Sequence, residues 1–581
     1  MLDYLSAYAI ETPDHDAFIF LKNNEVENSV TYLQLEKLTD HLAQKLKQKW
    51  AIGDRVILAF PQCMEFVVTY FACLKAGLVV VPVSIPGRSR GVDTLQKIIV
   101  DSQATGFYTN ESTHQRLLNL FPGFLGDGLI EAQTIDWVDM EQEINSLRAV
   151  EPFASDKAWL DYAPELAMLQ YTSGSTGDPK GVMVTHENLV QNQELMQVGF
   201  GLRPQDRIGT WLPLFHDMGL IGAIFQAIYL GGTAVVMSPS AFIKQPIQWL
   251  QMISRYRITV AGCPNFGYDA CVKRIKESAL EGISLATWRV AFSGAELIRQ
   301  STMQQFIDKF HRYGLKPDAL APCYGLAEAT LYVSSLPPHS NMGCQSVSVE
   351  ELQRGRVVIT GSHEVIPSHV EAQDTNASSV VSCGVAQPSV VMKIVDPATS
   401  EILAEGNVGE VWVSSHHIAK GYWGREEATE ATFHARLKPS DGRHYLRTGD
   451  LGFLLDGQLY LTGRSKEMLI VNGRNIYPND IENTVADSFR EVFRDAIGAF
   501  QVDDKGTESA VVIAEVGPSK SFKAQSDEIA KTIKSQVSKE FGIAVKDVMF
   551  VKRSTIPKTT SGKLQRTKLK QQYISNEIEA L

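Results

Sequence analysis

QYTSGSTGDPKG, residues 170–181, is the stretch that decides the fold, and it stands between the apolar segments 166–169 and 182–184. Glycine and proline between two apolar runs predict a tight loop that joins two short strands. Glycines let backbone N–H groups converge on an anion, hydroxyl side chains add donors, and Lys180 adds a positive charge. We therefore interpret the stretch as a cradle for a polyphosphate.

Two other interpretations compete for this loop. A segment rich in serine, threonine and glycine is often only a solvated connection. The P-loop of nucleoside triphosphatases needs the pattern G-x-x-x-x-G-K-[ST] at the start of a helix. Here Pro179 precedes the lysine, Gly181 takes the place of the required hydroxyl residue, and a strand follows. These departures exclude the P-loop.

The loop resembles the phosphate loop of the adenylate-forming superfamily: acyl-CoA synthetases, nonribosomal-peptide adenylation domains, luciferases and fatty acyl-AMP ligases. The resemblance covers about residues 10–570. It implies an α/β fold, with a large N-terminal domain (residues 1–464) of two α/β sheet subdomains and a small β-barrel. A small mobile C-terminal α/β domain (residues 465–581) follows. It also implies ATP, bound at the loop by Thr172, Ser173, Gly174, Ser175, Thr176 and Lys180.

Composition narrows the class of protein. The chain has 581 residues, a net charge of -11 and seven cysteines without a CxxC pair. The negative charge argues against binding to nucleic acid or to anionic membranes. The longest apolar run, near residues 77–86, is too short to span a bilayer. Together with the odd number of cysteines, these features predict a soluble protein of the reduced cytoplasm.

The sequence before residue 165 contains no candidate site and is predicted to form a structural scaffold. Thr31 and Gln34 have the form of a capping box before a helix whose leucines fall on one face. Residues 55–60 predict a strand, residues 64–76 a helix and residues 78–83 a second strand. This order indicates a parallel α/β sheet.

The segment 211–220, WLPLFHDMGL, carries a histidine and an aspartate between apolar residues. Taken alone, such a histidine is usually a core residue bonded to the backbone. In the superfamily this position lies beside the acyl carboxylate, and the His-Asp-Met-Gly form resembles fatty acyl-AMP ligases. The resemblance implies a catalytic role for His216, and substrate contacts for His216, Asp217, Met218, Phe266 and Gly294.

Two short motifs resemble the nucleotide site. The turn Ser293-Gly294-Ala295 ends a predicted strand where a flat base could lie against the backbone. In the motif of residues 322–328, Tyr324 offers a stacking face beside Gly325, and Glu328 offers an oxygen ligand for Mg²⁺, with Thr172 as its partner. The superfamily usually has threonine where this chain has Ala327, so Ala327 is not counted as a site residue.

Further motifs resemble the sugar site, the hinge and the catalytic lysine. The resemblance places Asp450 and Arg464 on the ribose, and a carboxylate suits this task because it accepts two hydrogen bonds at once. Lys466 lies at the predicted hinge. Lys563 stands at the position of the superfamily's adenylation lysine. The tail around it is basic, which predicts either a solvated surface or a docking site for an acidic carrier protein: Lys552, Arg553, Lys558, Arg566, Lys568 and Lys570.

An insertion of about residues 335–379 interrupts the motif order, and its composition predicts a long surface excursion. Its position resembles the insertion of fatty acyl-AMP ligases, which is thought to hinder the CoA-using conformation. Residues 469–475 also depart from the CoA-using hinge pattern. We therefore predict activation of a long-chain fatty acid with ATP and Mg²⁺, and an acyl carrier protein as acceptor. The alternatives are a long-chain acyl-CoA synthetase and a non-catalytic acyl or nucleotide sensor.

Overall fold

A computed structural model provides the structure. It describes residues 1–86, 89–120, 136–139, 144–145, 164–173, 179–367, 377–471, 474–489, 492–504, 507–517, 520–558 and 564–581. Within these ranges, none of the helices combines the length and the apolar character that crossing a bilayer requires. All seven cysteines are free thiols.

The first sheet has six strands and contains the predicted phosphate loop. In spatial order its strands are Asp136–Asp139, Gly106–Thr109, Arg55–Leu58, Val79–Pro82, Leu166–Ser173 and Pro179–Thr185. All neighbours are parallel except the last two, which form an antiparallel hairpin. The helices of this region are Met64–Lys75, Ser89–Ser102 and Glu111–Leu120. The predicted alternation of strand, helix and strand is confirmed.

The second sheet has nine strands, and the N-terminal hairpin lies at one of its edges. In spatial order they are Val385–Ala386, Tyr332–Ser335, Leu320–Gly325, Val290–Ser293, Val260–Gly262, Arg207–Thr210, Thr233–Met237, Asp16–Lys22 and Glu25–Thr31. The middle strands, from Leu320–Gly325 to Asp16–Lys22, run parallel. Helices of this region are Leu2–Glu11, Tyr32–Lys49, His186–Phe200, Asp217–Gly219, the π-helix Leu220–Phe225, Gln226–Leu230, Pro239–Lys244, Ile247–Arg255, Asn265–Arg274 and Gln300–Phe310.

The described part of the insertion is folded, which corrects the prediction of a surface excursion. Its strands Ile359–Glu364, Gly343–Ser348 and Ala377–Val381 form an antiparallel sheet, and the helix Val349–Gln353 follows the middle one in the chain. Val347, Leu352 and Val380 are buried in one cluster. Composition did not reveal this sheet because its strands are short and only one of its faces is apolar.

The predicted small barrel is a four-stranded antiparallel sheet. Its strands, in order, are Val391–Val395, Gly409–Ser414, Leu446–Leu455 and Gln458–Arg464, and the helix Glu426–Phe433 connects the middle two. Asp450 pairs directly with Arg464 across the last two strands. The register alone therefore brings together two residues that the sequence assigned to the sugar site.

The C-terminal region has its own core of buried residues from Leu469 to Phe550. A hairpin of Leu469–Val471 and Arg474–Ile476 precedes the helix Pro478–Ser488. A three-stranded sheet then contains Val492–Asp504, Thr507–Val516 and Ala544–Val551. The helices Lys520–Phe541 and Arg566–Ile574 complete the region. A boundary between domains near residue 465 stays a prediction.

The helix Tyr32–Lys49 packs on the helix Met64–Lys75 through a buried ion cluster. The capping box of Thr31 and Gln34 is present, as predicted. The Nζ of Lys75 lies 2.7 Å from Glu36 Oε2 and 2.6 Å from Asp40 Oδ1, and only 1% of the Lys75 side chain is exposed. Ser6 Oγ donates to the other oxygen of Glu36. Removal of the lysine would leave two carboxylates without their cation.

We expect Lys75→Met to lower the free energy of unfolding by about 3–5 kcal/mol, because one partner of a buried ion cluster is removed. Urea denaturation followed by circular dichroism measures the change. The matched control is Lys22→Met, since Lys22 forms an exposed pair with Glu27 that contributes about 0–1 kcal/mol. Equal stability of the two variants would contradict a stabilising role for the cluster.

Candidate functional site

One continuous cleft brings most of the predicted site residues together. Because parallel strands present their carboxyl ends at one edge of a sheet, residues that follow several strands meet there. Those that line the cleft are Thr172, Lys180, His216, Asp217, Met218, Phe266, Gly294, Ala295, Tyr324, Gly325, Glu328, Asp450 and Arg464. Gly174, Ser175, Thr176 and Lys563 lie outside the described residues, and only the backbone of Ser173 is described.

The two arms of the phosphate loop are paired strands. Thr172 lies opposite Lys180, and Ser173 lies opposite Pro179, at the end of the hairpin. The ammonium group of Lys180 lies 4.7 Å from the ring centre of Tyr422. Burial and the neighbouring cation of Lys466 lower the pKa of Lys180, while Glu328 acts in the opposite direction. Lys180 therefore lies near a second cation, Lys466, and a bound anion would neutralise these positive charges.

Three side chains far apart in sequence hold both arms of the loop. Tyr171 donates from its hydroxyl to Asp101 Oδ2 at 2.7 Å. Arg425 donates to Asp101 Oδ1 at 2.8 Å and reaches the carbonyl of Pro179 at 3.5 Å. Tyr171 and Pro179 belong to opposite arms, so this network fixes their spacing. We call it the Asp101 network. The sequence analysis missed it, because neither Asp101 nor Arg425 stands in a motif.

Glu328, the predicted Mg²⁺ ligand, is half-buried beside Tyr422. Its Oε1 accepts a hydrogen bond of 2.8 Å from the Tyr422 hydroxyl. Among the described residues, no group of three or more His, Cys, Asp or Glu side chains could hold a metal. Mg²⁺ is usually bound by one or two carboxylates together with substrate phosphates. The donor set of Glu328 and the Thr172 hydroxyl fits that chemistry.

Asp450, the predicted sugar ligand, is buried and accepts hydrogen bonds from two side chains. Tyr324 donates from its hydroxyl to Oδ2 at 2.7 Å, and Arg464 donates to Oδ1 at 2.8 Å. The Asp450 charge raises the pKa of Arg464 above its ordinary value. Each carboxylate oxygen has a second lone pair, so both can still accept from ribose hydroxyls. The three residues form a preorganised polar wall.

The predicted base-binding turn lies at the end of the strand Val290–Ser293. A Cβ on Gly294 would lie 2.9 Å from Cys323 Sγ, so a side chain there would collide with the neighbouring strand. Ala295 has φ of 69°, a conformation that non-glycine residues rarely adopt. Ser293 is 1% exposed, and its hydroxyl has no partner among the residues that the structure describes. Backbone strain of this kind is typical of functional sites.

The segment of His216 is tied to the phosphate-loop strand. Gln170 donates from Nε2 to the carbonyl of Phe215 at 3.0 Å. His216 immediately precedes the helix Asp217–Gly219, and its ring lies 4.8 Å from that of Phe215. The backbone N–H of Phe266 donates to Glu296 Oε1, which places Phe266 next to the base-binding turn. The predicted acyl-contacting residues therefore lie beside the predicted nucleotide residues.

The segment that carries Lys563 is held at both ends. Lys558 and Leu564 form a β-bridge, and the N–H of Gln565 donates to the carbonyl of Pro557. Arg566 is mostly buried and pairs with Glu467 and Glu482. The interpretation of Arg566 as part of a solvated basic tail is therefore wrong. Two carboxylates from distant segments surround it, which a local pattern cannot show.

Comparison with known proteins agrees with this geometry. The family of AMP-binding enzymes matches residues 5–423, and the AMP domain of Disco-interacting protein 2-like proteins matches residues 466–581. The medium-chain-fatty-acid–[acyl-carrier-protein] ligase JamA of Moorena producens is 36% identical, over 100% of this chain and 95% of its own. The long-chain-fatty-acid–AMP ligase FadD26 of Mycobacterium marinum is 32% identical, over 99% and 97%.

A solved structure supports the same assignment. The fatty acyl-adenylate ligase of Legionella pneumophila, in complex with acyl adenylate and pyrophosphate, superposes with a TM-score of 0.72 at 32% identity. The match covers 99% of this chain and 96% of that chain. With family, relatives and fold in agreement, the chain belongs to the AMP-binding enzyme family, as a ligase of its fatty acyl-AMP ligase branch.

Proposed function

We propose that the protein uses ATP to convert a medium- or long-chain fatty acid to the acyl-adenylate, with release of pyrophosphate. The observation that carries this proposal is the one cleft that the phosphate-loop arms, Glu328, the Asp450 wall and the His216 segment line together. A nucleotide and a carboxylate can meet there. The names of the relatives, which act on fatty acids of both length classes, support the substrate.

The chain's own residues position two anions for an in-line attack of the fatty-acid carboxylate on the α-phosphorus of ATP. The phosphate loop from Thr172 to Lys180 holds the leaving pyrophosphate. Asp450 and Arg464 fix the sugar. Glu328 and Thr172 would hold Mg²⁺, which would neutralise charge on the phosphates. Catalysis of this kind consists mostly of positioning and charge stabilisation.

We assign the second half-reaction to an acyl carrier protein rather than to CoA. The folded insertion supports this choice, because its buried residues Val347, Leu352 and Val380 share a cluster with Tyr477 of the C-terminal region. Ser378 in the insertion also acts on the carboxyl of Asp480: burial and the charges of Glu540 and Glu482 raise the pKa of Asp480 to about 7, and Ser378 acts in the opposite direction. In this proposal residues 465–581 move as a unit during the cycle, and these contacts oppose the rotation that a CoA-using enzyme needs.

Cellular location follows from the same proposal. A fatty acid, ATP and a carrier protein meet in the cytoplasm, and the free state of all seven cysteines agrees with a reducing compartment. We therefore place the protein in the cytoplasm.

The direct test is mass spectrometry of the products from purified protein, ATP, Mg²⁺ and a series of fatty acids, with and without CoA. We expect acyl-adenylate and pyrophosphate to form, and the adenylate to persist when CoA is present. Addition of a 4′-phosphopantetheinylated acyl carrier protein should consume it. Efficient formation of acyl-CoA would instead establish an acyl-CoA synthetase, and bound ligand without turnover would establish a sensor.

We expect Lys563→Ala to lower the rate of adenylate formation by on the order of 10² to 10³, because a preorganised cation at the reacting phosphate is lost. Pyrophosphate release measures the rate. Lys558→Ala, on the other side of the same segment, serves as the matched control and should retain more activity. Wild-type pyrophosphate release by Lys563→Ala would contradict the assignment of this lysine.

We expect Arg425→Lys to raise the KM for ATP by roughly tenfold, because a flexible lysine ammonium cannot replace the rigid guanidinium whose one terminal nitrogen reaches both Asp101 and Pro179. The KM for the fatty acid should change much less. ATP–pyrophosphate exchange measures both constants. Arg443→Lys, at an exposed pair with Asp441, is the matched control and should behave as wild type. A change confined to thermal stability would show that the Asp101 network only supports the fold.

A further inference from the structure

A helical run from Asp217 to Leu230 forms one wall of the cleft beyond His216. Met218, Gly222 and Gln226 line the cleft from this wall. They are spaced four residues apart, which puts them on one face of the run. Eight residues separate the two positions, so Gln226 lies about two helical turns beyond Met218. Gln226 therefore belongs to the part of this wall that is further from His216.

Apolar side chains also line the cleft: Met196, Phe200, Phe292 and Leu331. The ring centres of Phe200 and Phe292 are 6.1 Å apart. A Cβ on Gly222 would lie 3.3 Å from Leu331 Cδ2, so the walls approach closely. Such a slot suits an alkyl chain.

Gln226 is the exception in this apolar slot. The residue is 1% exposed, and neither its Oε1 nor its Nε2 has a hydrogen-bond partner among the described residues. A buried amide without partners costs about 1–3 kcal/mol of stability. Leucine would fill a similar volume without this cost. The chain therefore keeps an unpaired donor and acceptor at a place where packing alone would favour an aliphatic side chain.

A second buried glutamine shows what a structural role looks like in the same region. Gln193 is 0% exposed and donates from Nε2 to the carbonyl of Ile221 at 3.2 Å, which ties its helix to the π-helix Leu220–Phe225. Gln226 follows this π-helix directly, and π-helical turns are frequent at functional sites. The two glutamines thus differ at Nε2, which has a partner only in Gln193, while the Oε1 of each has none among the described residues.

We propose that Gln226 is a specificity-determining residue that recognises a hydrogen-bonding group, a hydroxyl or an oxo group, on the distal part of the acyl chain. The inference rests on the proposed function, since it assumes that the cleft takes a fatty acid. The amide can accept from a hydroxyl through Oε1 and donate to an oxo oxygen through Nε2. A site built to bond a polar group discriminates against the analogue that lacks it more strongly than an apolar pocket does.

The test compares wild type with Gln226→Leu, on matched pairs of a plain fatty acid and its distally hydroxylated or oxo analogue, over a series of chain lengths. ATP–pyrophosphate exchange gives kcat/KM for each acid. At the matching length, we expect the ratio of functionalised to plain acid to fall by about tenfold or more in Gln226→Leu. The thermal midpoint should rise or stay equal, because an unpaired buried amide is removed.

Gln193→Leu is the matched control. It should lower the thermal midpoint, since a hydrogen bond to the helix backbone is lost, and leave the substrate ratio unchanged. An equal ratio in wild type and Gln226→Leu at every length would overturn the role of Gln226, while exchange with plain acids would still support the proposed function. Absence of exchange with every acid would refute the proposed function itself.

Discussion

The carboxylate of Asp450 joins three parts of the molecule that must keep a fixed geometry. It lies in the four-stranded sheet, accepts from Tyr324 at the end of a strand of the nine-stranded sheet, and accepts from Arg464 where the chain leaves for the C-terminal region. Such bonds are strong because the carboxylate is buried in a medium of low dielectric constant. Loss of the carboxylate would remove the hydrogen-bond acceptor of Tyr324 and of Arg464, so the predicted sugar-binding wall and the segment that leads to the C-terminal region both depend on one side chain.

The elements that the sequence predicted correctly are those whose signal is local. The capping box of Thr31, the strand from Arg55 and the hairpin around the phosphate loop each follow from residues within one short window. The cleft residues were predicted from the resemblance of their short motifs to those of the adenylate-forming superfamily. The pairing of Asp450 with Arg464 needed the register of two strands, which no single motif contains.

The features that the sequence did not reveal depend on contacts between distant segments. The insertion folds because Val347, Leu352 and Val380 find apolar partners such as Phe453 on another sheet. Arg566 loses its exposure because Glu467 and Glu482 approach it from other elements. The Asp101 network joins residues 70 and 324 positions apart. Charged residues such as Arg566 and Asp101 are expected at the surface until their partners are known. Composition alone therefore misplaces them.

The packing of the insertion bears on the conformational equilibrium of the C-terminal region. Tyr477 is 2% exposed and shares its cluster with residues of the insertion, so rotation of the C-terminal region away from this cluster would expose apolar surface. Loss of the burial of one large side chain costs about 1.5–3 kcal/mol. A cost of this size lowers the population of the rotated state by roughly 10- to 150-fold. In the proposed cycle, a shift of this magnitude would favour the conformation that keeps this cluster intact, so the insertion would not need to block CoA sterically.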